Sequence, residues 1–333
     1  MLNVYQLLKL NRRIQSKRLK DLGIWVLHSF GFRYIVVFLD PVLACNLRCR
    51  MCYFSSEEKR KTYRGKFSKE DLPLISNAFF HRALKLQIGC GAEPSLFAHN
   101  EELIKLGKAK KIPYISMTTN ANLFSEQDWE RLLEAGLNEV TLSLHGVTQE
   151  SYEHFMPGGS WEKFTDSLSS LNRLKDRFPD FRIRINYTAN NDNFEELGSF
   201  FNIFDSIRFD IIQVRPIIPM ENSDYQNFSW DIITEKYDIV IEPLKKICQQ
   251  KGITFIAPSR SDLTNEKNDN NSLAGQTYCY ISPRSIWKDG FVLGKDSFES
   301  YSGKNHIGWK YLKKVFQKKR SNTNKRNLNY EVV

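Results

Sequence analysis

YIVVFLDPVLACNLRCRMC, residues 34–52, joins an apolar run from Tyr34 to Leu39 to a loop that holds three cysteines within eight residues. A run with no polar interruption suits a strand covered on both faces, as in a parallel sheet. Working outward, strand-like runs recur at 83–88, 114–118, 139–144, 181–187 and 211–215, with helical periodicity between them. Ser68 and Ser125 each precede an acid by three residues, and Ser160 precedes another amphipathic run, so all three mark helix starts. Asn193 heads a helical stretch to Phe204, and 232–250 is the longest helical stretch. Six strands, each followed by a helix, occupy residues 34–258. Right-handed crossovers make such a series a partial barrel or a doubly wound sheet.

The 333 residues, 41% hydrophobic and 26% charged, belong to a globular chain rather than a disordered or fibrous one. No apolar run approaches the length of a membrane span, and the opening segment lacks the uninterrupted apolar stretch of a secretory signal. Six cysteines in a chain this long, three of them between Cys45 and Cys52, do not form a disulfide framework, which points to a cytoplasmic, reducing compartment. The net charge of +10 sits at the ends: residues 1–33 carry +6, residues 301–333 carry +8, and the body carries −4. An acidic body argues against a nucleic-acid groove and leaves the basic ends as solvated segments or as peripheral membrane contacts.

A loop leaving a barrel strand lies on the C-terminal face, where such folds place their sites. Zinc in a structural site takes four protein ligands, and no fourth Cys or His accompanies Cys45, Cys49 and Cys52. Three thiolates on a cubane cluster leave one iron open to a second ligand.

The spacing of Cys45, Cys49 and Cys52 resembles the cluster motif of the radical S-adenosylmethionine (SAM) superfamily, and later segments resemble its other motifs in order. Gly89-Cys90-Gly91-Ala92-Glu93-Pro94 is similar to the Gly-Gly-Glu-Pro segment that holds the methionine end of SAM, with Ala92 in place of the second Gly. Thr118-Thr119-Asn120-Ala121 resembles Thr-Asn-Gly. Ser143, in Ser143-Leu144-His145-Gly146, stands where the family has its ribose-binding hydroxyl, and His145 where it often has Asp. Met51 takes the place of an aromatic that packs on adenine. Asn186 and Arg215, near the ends of the fifth and sixth strands, complete the cofactor-binding set. Met156 falls where the family often has an Arg for the SAM carboxylate, so the resemblance names no partner for that group. As a lone cysteine, Cys90 reads as a small core side chain.

The resemblance implies a partial (β/α)6 TIM-type barrel over residues 34–258, preceded by a basic helical segment at 1–33. It implies one [4Fe-4S] cluster on Cys45, Cys49 and Cys52, SAM as cofactor, and an external electron donor such as flavodoxin or ferredoxin. Reductive cleavage of SAM would yield a 5′-deoxyadenosyl radical that abstracts a substrate hydrogen. A polar linker (259–277) leads to a small C-terminal α+β cap (278–318), similar in outline to a SPASM or twitch extension, and a basic tail (319–333) follows. With Cys279 as its one cysteine, this cap is expected to hold no auxiliary cluster. Asp289-Gly290 marks a hairpin there. The expected substrate is a peptide or protein side chain. The alternatives are a sugar or lipid-linked small molecule, or an inactive partner-binding protein on the same scaffold.

Overall fold

The computed structural model describes residues 14, 16–217, 224–225, 229–260, 263, 273–317 and 330–332. Much of the basic N-terminal segment, the linker and the basic tail therefore lies outside the described residues.

Helix α1 (Lys17–Ser29), capped by the Ser16 hydroxyl, leads into β1 (Ile35–Leu39). After the cysteine loop come α2 (Glu57–Thr62), α3 (Asp71–Ile75), β2 (Ala83–Ile88), α4 (Asn100–Ala109) and β3 (Tyr114–Thr119). Next are α5 (Glu126–Glu134), β4 (Glu139–Leu144), α6 (Gln149–Phe155), α7 (Trp161–Leu174) and β5 (Arg182–Ala189). Ser125 and Asp128 close a capping box on α5, and the Ser160 hydroxyl accepts the Lys163 amide on α7, as their spacing predicted. Then follow α8 (Phe200–Phe204), β6 (Ile211–Pro216), α9 (Asp231–Glu235), α10 (Tyr237–Gln250) and β7 (Thr254–Pro258). The C-terminal part adds α11 (Ala274–Thr277), β8 (Tyr278–Ser282), β9 (Ser285–Ile286), α12 (Phe298–Lys304), α13 (Ile307–Phe316) and β10 (Tyr330–Val332).

The sheet order is β10-β7-β6-β5-β4-β3-β2-β1-β8-β9, with β1 to β7 parallel in sequence order. This is an open, partial (β/α)-type barrel, as the six-strand reading expected. Two features differ from the sequence reading. A seventh strand, β7, which the six-strand reading did not include, extends the parallel sheet beyond β6. The C-terminal α+β piece is also continuous with the barrel, since β8 pairs in parallel with β1 along Val36 to Leu39.

The hairpin there is β8–β9, turning at Pro283-Arg284, while Asp289-Gly290 lies beyond it. Asn193 heads no regular α-helix. Its side-chain amide donates to the His145 and Thr188 carbonyls, and so ties the end of β5 to the end of β4.

Alternate residues of the strands face outward into the helical layer, where Ile183, Ile185 and Tyr187 of β5 are fully buried. The inward positions are polar. Glu139 accepts the Tyr114 hydroxyl at 2.7 Å and lies 3.9 Å from Lys85 and 3.6 Å from Arg184. Gln87 accepts from Ser116 and donates to Thr118. Charges so enclosed persist because they are paired, and they stiffen the floor beneath the open end. At the opposite end of the strands, α1 packs on α13, with the His28 ring 5.3 Å from Tyr311. Arg82 there donates to the His28 carbonyl and lies over the Tyr34 and Phe298 rings.

Candidate active site

Asp40 ends β1 and is completely buried. Its carboxylate accepts the Cys90 amide at 2.6 Å, the Gly91 amide at 3.1 Å and the Tyr280 hydroxyl at 2.8 Å. Burial raises its pKa, and these donors pull it back down. One side chain thus joins β1, the loop after β2 and the C-terminal strand β8. Sequence reasoning missed Asp40. The available signal was a lone acid closing an apolar run, directly ahead of Pro41.

The loop after β2 approaches its neighbours closely. Gly89 has φ +73°, and a Cβ there would stand 2.4 Å from the Thr118 carbonyl oxygen, so no larger residue fits. A Cβ on Gly91 would meet the Tyr53 hydroxyl at 2.8 Å, and that hydroxyl donates to the Gly91 carbonyl. Glu93, 3% exposed, braces the next strand end: it accepts the Thr119 hydroxyl at 2.6 Å, the Ser95 amide at 3.0 Å and the Asn120 amide at 2.8 Å. Burial raises the Glu93 pKa, and the same hydrogen bonds lower it. One lone pair on Oε2 is left for a further donor.

The cysteine loop is held from three sides. The Glu93 amide donates to the Ala44 carbonyl, Arg48 and Arg50 donate backbone amides to Pro157 and Phe155, and Asn120 Nδ2 reaches Asn46 Oδ1 at 2.9 Å. Asn120 Nδ2 also lies 3.9 Å from Cys45 Sγ. Ala121, next in the chain, takes φ +60°, the conformation in which a glycine costs least.

All three thiols are free and line one cavity of about 370 Å³. The wall is completed by residues from the ends of β2 to β6, including Gly91, Ala92, Glu93, Asn120, Ser143, His145 and Arg215. Burial pushes the Cys45 thiol up to about 12 and raises Cys49 and Cys52 as well, and the negative charge of neighbouring thiolates adds to the rise at Cys45 and Cys49. Such a trio gives up its protons only to a cationic centre. Among the described residues no three His, Cys, Asp or Glu side chains converge tightly enough for a single ion. A cluster takes each thiolate on a separate iron, so the donor set fits a cluster better than zinc.

Met51 also lines the cavity and accepts a contact from Asn190 Nδ2 at 3.1 Å. Cys90 is exposed on the cavity wall, contrary to its reading as a core side chain. Asn186 is the one proposed cofactor residue that does not reach the lining. It sits opposite Ser143 in register, with its Oδ1 buried and unpaired, and Thr188, two residues along the same face, lines the wall instead. The strand pleat explains the difference, since the same face one step nearer the mouth is what meets a ligand. His145 is 8% exposed, its ring makes no hydrogen bond among the described residues, and burial lowers its pKa to about 4. Arg215 is exposed and has no ion-pair partner among the described residues.

Residues 40–200, which carry the cysteine loop and most of this wall, match the family model described as Radical SAM superfamily. Residues 40–200 form a radical SAM superfamily domain. Members of that superfamily are enzymes that use a [4Fe-4S] cluster and SAM.

Among similar proteins is a probable GTP 3′,8-cyclase of Sulfurisphaera tokodaii, 22% identical over 211 residues, which cover 62% of this chain and 61% of the relative. Another, from Saccharolobus islandicus strain L.S.2.15, is 25% identical over 179 residues, covering 52% of this chain and 54% of the relative. The chain thus spans a little over half the length of these curated relatives.

Of the solved structures, Streptococcus suis SuiB bound to the precursor peptide SuiA superposes with a TM-score of 0.61 at 15% identity, covering 90% of this chain and 70% of SuiB. The enzyme anSMEcpe with bound AdoMet gives 0.54 at 17% identity, covering 66% of this chain and 60% of the other. Among the described residues no helix is long and apolar enough to cross a membrane.

Proposed function

We propose that this chain cleaves SAM reductively and uses the resulting radical to abstract hydrogen from a peptide or protein side chain. The observation that carries the reading is that Cys45, Cys49 and Cys52 open as free thiols into one cavity with the β2–β6 strand ends. When bound there, a reduced [4Fe-4S] cluster supplies the electron that splits the sulfur–carbon bond of SAM into methionine and a 5′-deoxyadenosyl radical.

The protein's residues bind and orient. Gly91 and Ala92 let the backbone approach the methionine end, and Glu93 Oε2 accepts a hydrogen bond from its ammonium group. Met156 offers no charge, so the exposed, unpaired Arg215 takes the carboxylate. Met51 packs on the adenine, while Asn120, Ser143 and Thr188 address the ribose. His145, neutral at physiological pH, accepts a hydrogen bond from substrate. The polar floor around Glu139 keeps bulk water from entering from below.

The fold likeness to an enzyme solved with its precursor peptide supports a peptide substrate. A small anionic molecule is the second reading, supported by similarity to probable GTP cyclases.

Anaerobic reconstitution with iron and sulfide, followed by iron counting and 5′-deoxyadenosine detection with SAM and dithionite, tests the proposal. The expected result is about four irons per chain with SAM cleavage. Absence of iron uptake, or a cluster that never cleaves SAM, would overturn it. Cys49→Ala is expected to remove the iron chromophore while leaving the fold, measured by circular dichroism, intact.

A further inference from the structure

Helix α1 buries one face and leaves a second apolar face open. Asp21 and Ile24 are buried, yet Leu19, Leu22, Val26 and Phe30 follow one another at spacings of three, four and four residues, which places them on one stripe of the opposite side. Leu19 and Leu22 are exposed, and Phe30, at the C-terminal cap, is 70% exposed. Helix α13 repeats the arrangement. Ile307, Tyr311 and Val315 are buried, while Trp309 and Phe316, on its other side, are 58% and 75% exposed.

The two helices pack antiparallel. A Cβ on Gly308, near the start of α13, would stand 3.2 Å from the His28 ring at the end of α1. Lys314, near the end of α13, interacts electrostatically with Asp21 and Lys17 in the first two turns of α1. Together the helices hold six Lys or Arg and one acid, a net +5, and that acid, Asp21, is buried and paired with Lys17 at 2.6 Å. Arg18, Lys310 and Lys313 are exposed and have no ion-pair partner among the described residues. Lys313 lies over the Trp309 ring. The adjoining segments add to the charge, residues 1–16 by +3 and residues 317–333 by +4.

A second stripe of large apolar side chains on the solvent side of a helix marks a contact with something outside the fold. A second copy of this chain fits poorly, because it would set two faces of net positive charge against each other. Rings this exposed also protrude rather than line a groove. A bilayer with anionic headgroups matches both features: its apolar layer takes Phe30, Trp309 and Phe316, and its phosphates take the Lys and Arg beside them. Lysine stems lie along the apolar layer while their ammonium groups stay among the headgroups.

We propose that the outer side of the α1 and α13 pair is a peripheral docking surface for an anionic lipid bilayer. The contact is peripheral, with the three rings at the boundary between headgroups and acyl chains. This pair lies at the end of the strands opposite the cysteine cavity, so docking leaves the cavity mouth open to solvent. The proposal goes beyond the SAM-cleavage reading and does not rest on it.

The test follows binding of the full chain to vesicles by sedimentation, comparing phosphatidylcholine alone with phosphatidylcholine mixed with phosphatidylglycerol. Wild type is expected to bind the anionic vesicles about ten-fold or more tightly than the neutral ones, and to release them as salt is added. The triple variant Phe30→Ser, Trp309→Ser, Phe316→Ser is expected to bind the anionic vesicles about ten-fold or more weakly. Circular dichroism checks its fold, and its 5′-deoxyadenosine formation is expected to match wild type. Trp309→Phe, a mild change at an exposed position, serves if the triple variant does not fold: the blue shift of tryptophan emission that anionic vesicles produce in wild type is expected to shrink in it.

Failure of wild type to bind anionic vesicles, or to prefer them to neutral ones, would overturn the proposal. Equal binding by the triple variant would do the same, since cations alone would then account for the adsorption. So would an emission shift unchanged in Trp309→Phe. A wild-type dimer that Phe30→Ser converts to a monomer, with no vesicle binding, would assign the face to a second copy instead.

Discussion

Ala121, next in the chain to the cavity-lining Asn120, and His145, on the cavity wall, show how single positions are set by burial and backbone shape. Ala121 adopts φ +60° behind Asn120, a conformation that costs a non-glycine residue about 1 kcal/mol. Ala121→Gly is expected to raise stability by up to about 1 kcal/mol in urea titrations, offset in part by the greater freedom of glycine when unfolded. An unchanged or lower midpoint would show that the surrounding loop has already absorbed the strain.

His145 is held neutral, with its pKa lowered to about 4 from 6.5 by burial. The folded state therefore binds fewer protons than the unfolded state between those values, and stability present above pH 6.5 is lost as pH falls toward 4. Between pH 7.5 and pH 5 this amounts to about 2 kcal/mol. His145→Gln should reduce the loss over that interval by the same amount. Identical pH profiles for the two proteins would count against the buried, neutral imidazole. Asp40 and Glu93 have raised values and act in the opposite sense, so only the difference between variant and wild type isolates His145.

At the scale of elements, the strand ends are locked to one another by carboxylates. Glu93 bridges the loops after β2 and β3, and Asp40 bridges β1, the loop after β2, and β8. The C-terminal strand thereby reaches the proposed SAM site through one hydroxyl. Tyr280→Phe is expected to cost about 1 kcal/mol of stability and to weaken SAM binding by the reconstituted protein, as measured by equilibrium dialysis. Unaltered SAM affinity would show that the Cys90 and Gly91 amides alone position Asp40. The helix-start signals at Ser125 and Ser160 were readable because a cap needs only a few neighbouring residues. Asn193 misled for the complementary reason: its amide is used across strands, by carbonyls 48 and five residues away.

Across the whole molecule, the C-terminal piece is part of the sheet. Removing residues 278–333 would bare the β1 edge, leaving the partners of Val36 to Leu39 open to another chain. The truncated protein is expected to aggregate on expression, and a soluble monomer with unchanged melting temperature would refute this role for β8. The sequence by itself determined the six strands and the cysteine loop, because apolar runs, caps and thiol spacing are local properties of the chain. Resemblance of its strand-end segments to the family's motifs also pointed to most of the wall, and parallel strands deliver those ends to one face. Only the tertiary structure decided that β7 and β8 extend the sheet, that Asp40 binds three elements together, and that Thr188 rather than Asn186 meets the cavity. Each of these depends on register, pleat or contact between residues far apart in sequence, which no local pattern of side chains records.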